Sequence, residues 1–401
     1  MSTIRSSALR TAVKAAAVVM AIAAVASMMP AQTPRPGAAP PTIQPKLALK
    51  DSTCRDQDDM CIWVHPTDPA LSVIIASDKV ADRLITYDLA GKTLESIPVD
   101  TPGNIDVRYG FPLSGGKVDV IAYNQRNEKR TRVCVYAIDP QTRKLRRVDD
   151  DRIVTGHNYG GTMYRSPKTG KFYFVTMAGV AEQYELYDDG AGKVAGRKVR
   201  EWKTVYTEGA VGDDEAGMIY YGVESVGVYQ VGGEPEDQTP GKLIAPVGEN
   251  GLVADVEGIA IYHQPGGKGY LLVSSQGNSQ FNVYQRGTGQ YVGTFKLAGV
   301  ASTDGVDVAN MALGKGFPSG MFVCHADSAE QCPVTLTPWQ DIACAFTPPL
   351  AIDTAWNPRK PEALAPKAPA GAAATTTSTV PTAPAPRRAG SLRQSAGHVI
   401  G

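Results

Sequence analysis

An all-β fold, a six-bladed β-propeller in a single domain with disordered termini, is predicted by three features of the sequence. A short β-branched and aromatic segment recurs six times: SVIIASD (72–78), KVDVIAYN (117–124), KFYFVTM (171–177), GMIYYGVE (217–224), KGYLLVSS (268–275) and SGMFVCH (319–325). Each copy has the length and the Gly, Lys or Ser punctuation of a strand. The copies are separated by about 45 to 54 residues, room for the three or four strands of a propeller blade. Helical periodicity is nearly absent.

From the N-terminus, Arg5, Arg10 and Lys14 precede an apolar run over residues 15–27. That run is short for a bilayer span and suits the apolar stretch of a signal peptide. Residues 1–31 are therefore expected to be a signal peptide, cleaved after Ser27 or Ala31, and the protein to be exported to the periplasm or the medium. No later segment is apolar enough to span a membrane. A Pro/Ala-rich linker is expected over residues 32–46 and the propeller over 47–350. After five of the six copies a second aromatic strand follows (RLITYDL, RVCVYAI, EQYELYD, VGVYQVG, FNVYQRG), and before each another strand-like run precedes it (CIWVHP, NIDVRYG, YGGTMYR, a run around Glu208 to Asp214, VEGIAIYH, DGVDVAN). The sixth unit ends weakly in TLTPWQDI, so a strand from residues 46–49 is expected to complete it and close the ring. From Pro358 to residue 401 the composition is Lys, Pro, Ala and Thr, which cannot offset its ordering entropy, and a disordered tail is expected. Six cysteines, Cys54, Cys61, Cys134, Cys324, Cys332 and Cys344, permit disulfides in an exported chain. At least one is expected, with the pairing open. The absence of CxxC pairs argues against zinc.

Lys plus Arg and Asp plus Glu number 40 each, a balance that argues against a nucleic-acid partner. Local arrangement must therefore supply any charge selectivity. In a blade whose first two strands are antiparallel, the start of the first and the end of the second lie at one end of the channel. That end collects Asp58, Asp59 and Lys79 from blade one, and Asn104, Asp106 and Arg126 from blade two. Tyr159 and Ala178 come from blade three, and Glu208, Asp213, Asp214 and Glu224 from blade four. Blade five gives Asp255, Glu257 and Gln276; blade six gives Asp304, Asp307, His325 and Asp327. Carboxylates crowd blades four, five, six and one, while Lys79, Arg126 and Tyr159 form an arc on blades one to three. Crowded carboxylates call for a cation between them, and oxygen-only donors favour calcium or magnesium over zinc. A cationic arc facing such a site suits a substrate carrying several phosphates.

At these same residues the chain resembles the β-propeller, or alkaline, phytases. The resemblance runs from about Asp58 to Val323 and rests on DDMCIWVHPTDP, NIDVRYGFPL, YAIDPQT, EQYEL, TEGAVGDDEAG, DVEGIAIY, GKGYLLVSSQGNSQFNVYQR and STDGVDV. It implies a calcium-dependent phosphomonoesterase, of 3-phytase type, that hydrolyses phytate (myo-inositol hexakisphosphate) through attack by a metal-bound water. It also implies several calcium ions, held by Asp58, Glu208, Glu224, Asp255, Glu257 and Asp304. Lys79, Arg126 and Tyr159 would bind phosphate and, with Glu224, act in catalysis. A monomer is expected. Val80 and Ala178 stand where the family commonly carries lysines, and the loop before Ser302 lacks carboxylates found there in the family. These departures leave a second reading, a catalytically weak propeller that binds a phosphorylated surface polymer or a protein.

Overall fold

A computed structural model of the chain describes residues 39–156, 158–361 and 363–364. Six blades of four antiparallel strands form the ring; in blades one to five these four run outward in chain order, and in blade six the outer strand comes from the N-terminal side. The innermost strands are Asp59–Trp63, Pro102–Leu113, Gly160–Arg165, Thr207–Asp213, Val256–Gln264 and Val306–Ala309. Each touches the next, and the last touches the first, so the circle is closed. The predicted closure holds: Leu47–Leu49 pairs antiparallel with Val334–Pro338 as the outer strand of blade six.

Apolar side chains fill the clefts between blades. The buried residues fall into six clusters, one at each blade–blade interface, for example Trp63, Ile75, Ile121 and Tyr123 between blades one and two. Phe281, Phe295 and Phe322 lie between blades five and six. A second strand such as Val73–Asp78 is consequently buried on both faces. Its near-continuous apolar run, rather than a clean alternation, is the result.

Inner strands cannot form ladders with one another around a ring, and carboxylates accept their edge amides instead. Asp59 Oδ2 accepts from the Ile105 amide at 3.0 Å, Asp106 Oδ2 from Met163 at 2.9 Å and Asp307 Oδ2 from Ile62 at 2.8 Å. Unpaired buried amides would each cost about 1–3 kcal/mol. Asp106 and Asp307 thus join blades inside the channel and do not stand at its mouth, as topology alone had suggested. Burial pushes Asp307 up to about 7. Asp213 and Asp214 end their strand and belong to the opposite end. There Asp213 takes both nitrogens of a buried fork from Arg286, and Asp214 meets Arg108 Nε at 2.8 Å.

The ordered fold is wider than the sequence indicated. Thr42–Ile43 adds a parallel edge strand beside Tyr291–Leu297 of blade five. The segment after the last blade strand, including residues assigned to the tail, packs across the channel end opposite the predicted mouth. Trp356 stacks on His263 with ring centroids 4.0 Å apart. Arg359 grips Asp119 through two nitrogens at 3.0 and 2.6 Å, reaches the Val64 carbonyl at 2.6 Å and lies over Tyr109. Composition hides this because two anchoring side chains, Trp356 and Arg359, suffice to order a Pro-rich stretch. The leader (1–31) and the tail beyond residue 364 lie outside the described residues.

All six cysteines are free, and four of them are buried in separate places. Cys54, for instance, faces the Tyr87 hydroxyl at 3.2 Å. The expected disulfide is not formed, because the thiols are distributed as small apolar core residues.

Two outcomes follow from this packing. Arg359→Ala should lower stability by about 1.5–3 kcal/mol, the worth of a charged hydrogen-bond set, and removal of residues from Pro358 onward should lower the melting temperature at least as much. An unchanged melting curve in both would show that the segment does not dock. Thiol titration of the denatured, unreduced protein should count all six cysteines, and a reductant should leave the melting temperature unchanged.

Candidate functional site

Three acid–glycine pairs, Glu208-Gly209, Glu257-Gly258 and Asp304-Gly305, open the inner strands or immediately precede them in blades four, five and six. They read as turn signals in sequence, yet their role is packing. A Cβ at Gly209 would overlap the Glu257 carbonyl oxygen, one at Gly258 the Asp304 carbonyl oxygen, and one at Gly305 the backbone of Asp58 and Asp59. Backbone bonds follow the same path. The Gly258 amide donates to Asp304 O at 2.9 Å, and the Gly305 amide to Asp58 O at 2.9 Å. Glycine thus lets each blade mouth press on the next. The preceding acids, Glu208, Glu257, Asp304 and Asp58, are thereby drawn into one arc.

Two cations reach into this arc. Lys79 Nζ lies 2.5 Å from Asp58 Oδ1, 3.4 Å from Asp56 and 3.5 Å from Asp304. Arg126 Nη2 bonds Glu208, donates to Asn104 Oδ1 at 2.8 Å and approaches Asp58 at 3.5 Å. Its guanidinium lies 4.9 Å from the Tyr159 ring centroid. Separate cationic and acidic arcs were expected. The two are interleaved, with Asp58 touching both cations, because blade one contributes a lysine and an aspartate to the same edge. Burial would raise Asp58, but Arg126 and Lys79 outweigh it and hold the carboxyl below its usual range. Burial would lower Lys79, but Asp58, Asp304 and Asp56 hold it above its usual range.

The other carboxylates shift the opposite way. Glu208, Glu224 and Glu257 each present an oxygen within 4.8 Å of the others. Burial, then Glu208, Asp304 and Glu224, push Glu257 up to about 10. Burial and then Asp255 raise Glu224. Burial and then Asp58 raise Asp304 to about 7. Glu257 Oε2 and Glu224 Oε1 are buried without a hydrogen-bond partner. Three crowded oxygen donors with spare lone pairs, and no nitrogen or sulfur among them, fit a hard divalent cation such as calcium. Asp255 is exposed beside this cluster, its carbonyl accepting from Gln276 at 2.9 Å. Gln276 Nε2 in turn bonds Asp304.

All nine candidate residues therefore gather at one mouth, although Asp255 stands at its rim. Sequence reasoning missed Asp56 and Tyr206. Asp56 belongs to the same acidic run as Asp58, a usable signal. Tyr206 is 74% exposed and meets the Tyr159 ring edge-on at 6.1 Å; its loop carries no sequence signal. Arg126, Asn158, Tyr159, Ala178 and Tyr206 line a groove beside the mouth, which Glu128, Glu182 and Glu201 also line.

Comparison with known proteins bears on this geometry. A loose structural likeness links the chain to the calcium-binding protein regucalcin from Agrobacterium tumefaciens. The TM-score is 0.48 at 11% identity, over 74% of this chain and 95% of that one. A 3-phytase from Bacillus subtilis (strain 168) is 40% identical over 282 residues, spanning 67% of this chain and 74% of its own length. The family model described as Phytase matches residues 6–363, from before the first blade to the segment that caps the channel, and on that match the chain belongs to the phytase family.

Proposed function

We propose that the protein is a calcium-dependent phosphomonoesterase that releases phosphate from phytate at the acidic mouth of the propeller. The observation that carries this reading is the Glu208–Glu224–Glu257 cluster, three converging carboxylates of which Glu224 and Glu257 each keep a buried oxygen without a hydrogen-bond partner, set beside Lys79, Arg126 and Tyr159. The 3-phytase relative supports the substrate. Glu208, Glu224 and Glu257, with Asp58, Asp255 and Asp304 around them, would hold the ions. Calcium bound there would polarise phosphoryl oxygens and offset the charge that develops on them.

The chain's own residues supply the rest. Arg126 offers a planar fork suited to phosphate, and the Tyr159 ring beneath it fixes the plane. Tyr159 keeps its proton, since burial and then Glu208 raise its pKa, so its hydroxyl can donate to a phosphate oxygen. Lys79 presents a compact charge between Asp58 and Asp304. Glu224 Oε1, without a hydrogen-bond partner, is free to orient a proton of the attacking water. The groove past Tyr206 gives a second phosphate of the same substrate a place, but Ala178 lines it without charge. Val80, 63% exposed beside Lys79, likewise offers none. These two residues are what favours the alternative of a weak binding module. The basic, then apolar residues 1–31 support export, to the periplasm or the medium.

Phosphate release from phytate should stop in excess chelator and return with calcium; full turnover in chelator would exclude a metal mechanism. Calcium should also raise the melting temperature, because an ion that binds only the folded arc stabilises it by mass action. Glu224→Gln should keep the fold and lower kcat by about 10²-fold or more, the usual cost of one lost electrostatic contact to the transition state. Near-normal kcat at saturating calcium would remove Glu224 from the site. Ala178→Lys should lower KM for phytate by about tenfold, one charged hydrogen bond, with little change in kcat, and Val80→Lys should act in the same direction. If neither moves KM on phytate or on a simple monoester, the second phosphate lies elsewhere.

A further inference from the structure

On the outer flank of the acidic mouth, the chain brings together one imidazole, one thiol and one carboxylate that the calcium arc does not use. Asp56 precedes blade one, while His325 ends the second strand of blade six and Cys332 lies in the loop that follows. One ligand atom from each lies within 4.8 Å of the others. We propose that Asp56, His325 and Cys332 form a separate site for a thiolate-seeking divalent metal of the zinc class.

The donor set is the first argument. Sulfur, imidazole nitrogen and a single carboxylate oxygen suit zinc or cobalt and are poor for calcium, which takes oxygen alone. Three protein ligands leave a fourth position open to water. The second argument is the state of the ligand atoms. His325 is only 1% exposed, and its Nε2 points into the cluster toward the buried Asp56 Oδ1, 3.2 Å away. Apart from this ion-pair contact, which an entering metal would replace, neither atom has a hydrogen-bond partner.

The ring is held from behind: His325 Nδ1 accepts from the Asp304 backbone amide at 3.2 Å, which turns Nε2 toward Asp56 and Cys332. Cys332 is half-buried on a loop, its thiol donating to Asp327 Oδ1 at 3.3 Å, so the site has an entrance. The lack of CxxC pairs hid it, because the ligands come from opposite ends of the chain and meet only when blade six closes on blade one. Asp56 also stands 3.4 Å from Lys79, which places this metal one side chain from the phosphate-binding lysine.

The test is a titration of the reduced, calcium-loaded full-length protein with Co²⁺ alone, followed by its thiolate-to-cobalt charge-transfer absorption. One Co²⁺ per chain should develop that absorption, and Zn²⁺ should abolish it by displacement. Cys332→Ser, on a half-buried loop where the fold tolerates it, should remove the absorption while the melting curve is kept. Asp56→Asn should weaken Co²⁺ binding by about tenfold or more. Cys344→Ser, at the one exposed thiol, should change nothing. No charge-transfer absorption in the unmodified protein, its survival in Cys332→Ser, or unchanged affinity in Asp56→Asn would each overturn the site.

Discussion

The mouth of this propeller is built by the closeness of its inner strands. Where blade meets blade, backbone lies on backbone with no room for a Cβ, at Gly209, Gly258 and Gly305. That constraint fixes the positions of the residues just before each glycine, and all of those are acids. The same contact therefore sets the shape of the ring and concentrates its negative charge. A larger residue at any of the three would push a blade outward and displace a carboxylate with it, so here fold and chemistry cannot be varied independently.

A chain with no net charge can still handle a polyanion if it partitions charge over short distances. Asp58 is held ionised by Lys79 and Arg126, while Glu257, a few residues away around the ring, is pushed up by its acidic neighbours. These opposite shifts divide the arc into a part neutralised by side chains and a part in which carboxylate faces carboxylate.

Much of this was legible in sequence. The six recurring strands and the closing strand at Leu47–Leu49 could be read from periodicity, and antiparallel geometry brought all nine candidate residues to one end, because a propeller repeats one unit and returns the same position to the same end; the resemblance picked those nine from the longer list. What failed did so for physical reasons. Asp213 and Asp214 sit only a few residues beyond Glu208, yet a strand carries them to the other end of the channel. Asp106 and Asp307 look like site acids, but their lone pairs are taken by amides of the neighbouring blade. Arg359 sits in a stretch whose composition forecasts no packing, and one side chain with a bidentate partner outweighs that forecast. Cysteine count spoke for cross-links, whereas four of the six thiols are buried apart from one another as core residues.

The strand Leu47–Leu49 is made early and used late. It leaves the ribosome before any blade, but its partner, Val334–Pro338, is among the last strands synthesised. Pairings between successive strands of a blade are local, whereas this one, like that of Thr42–Ile43 with blade five, spans most of the domain, and contacts so distant in sequence form slowly. Blades one to five can assemble as the chain lengthens, but the circle, and with it the contact between Gly305 and Asp58, must wait for the end. The acidic mouth is then the last part of the molecule to exist, and a nascent or truncated chain carries no working copy of it.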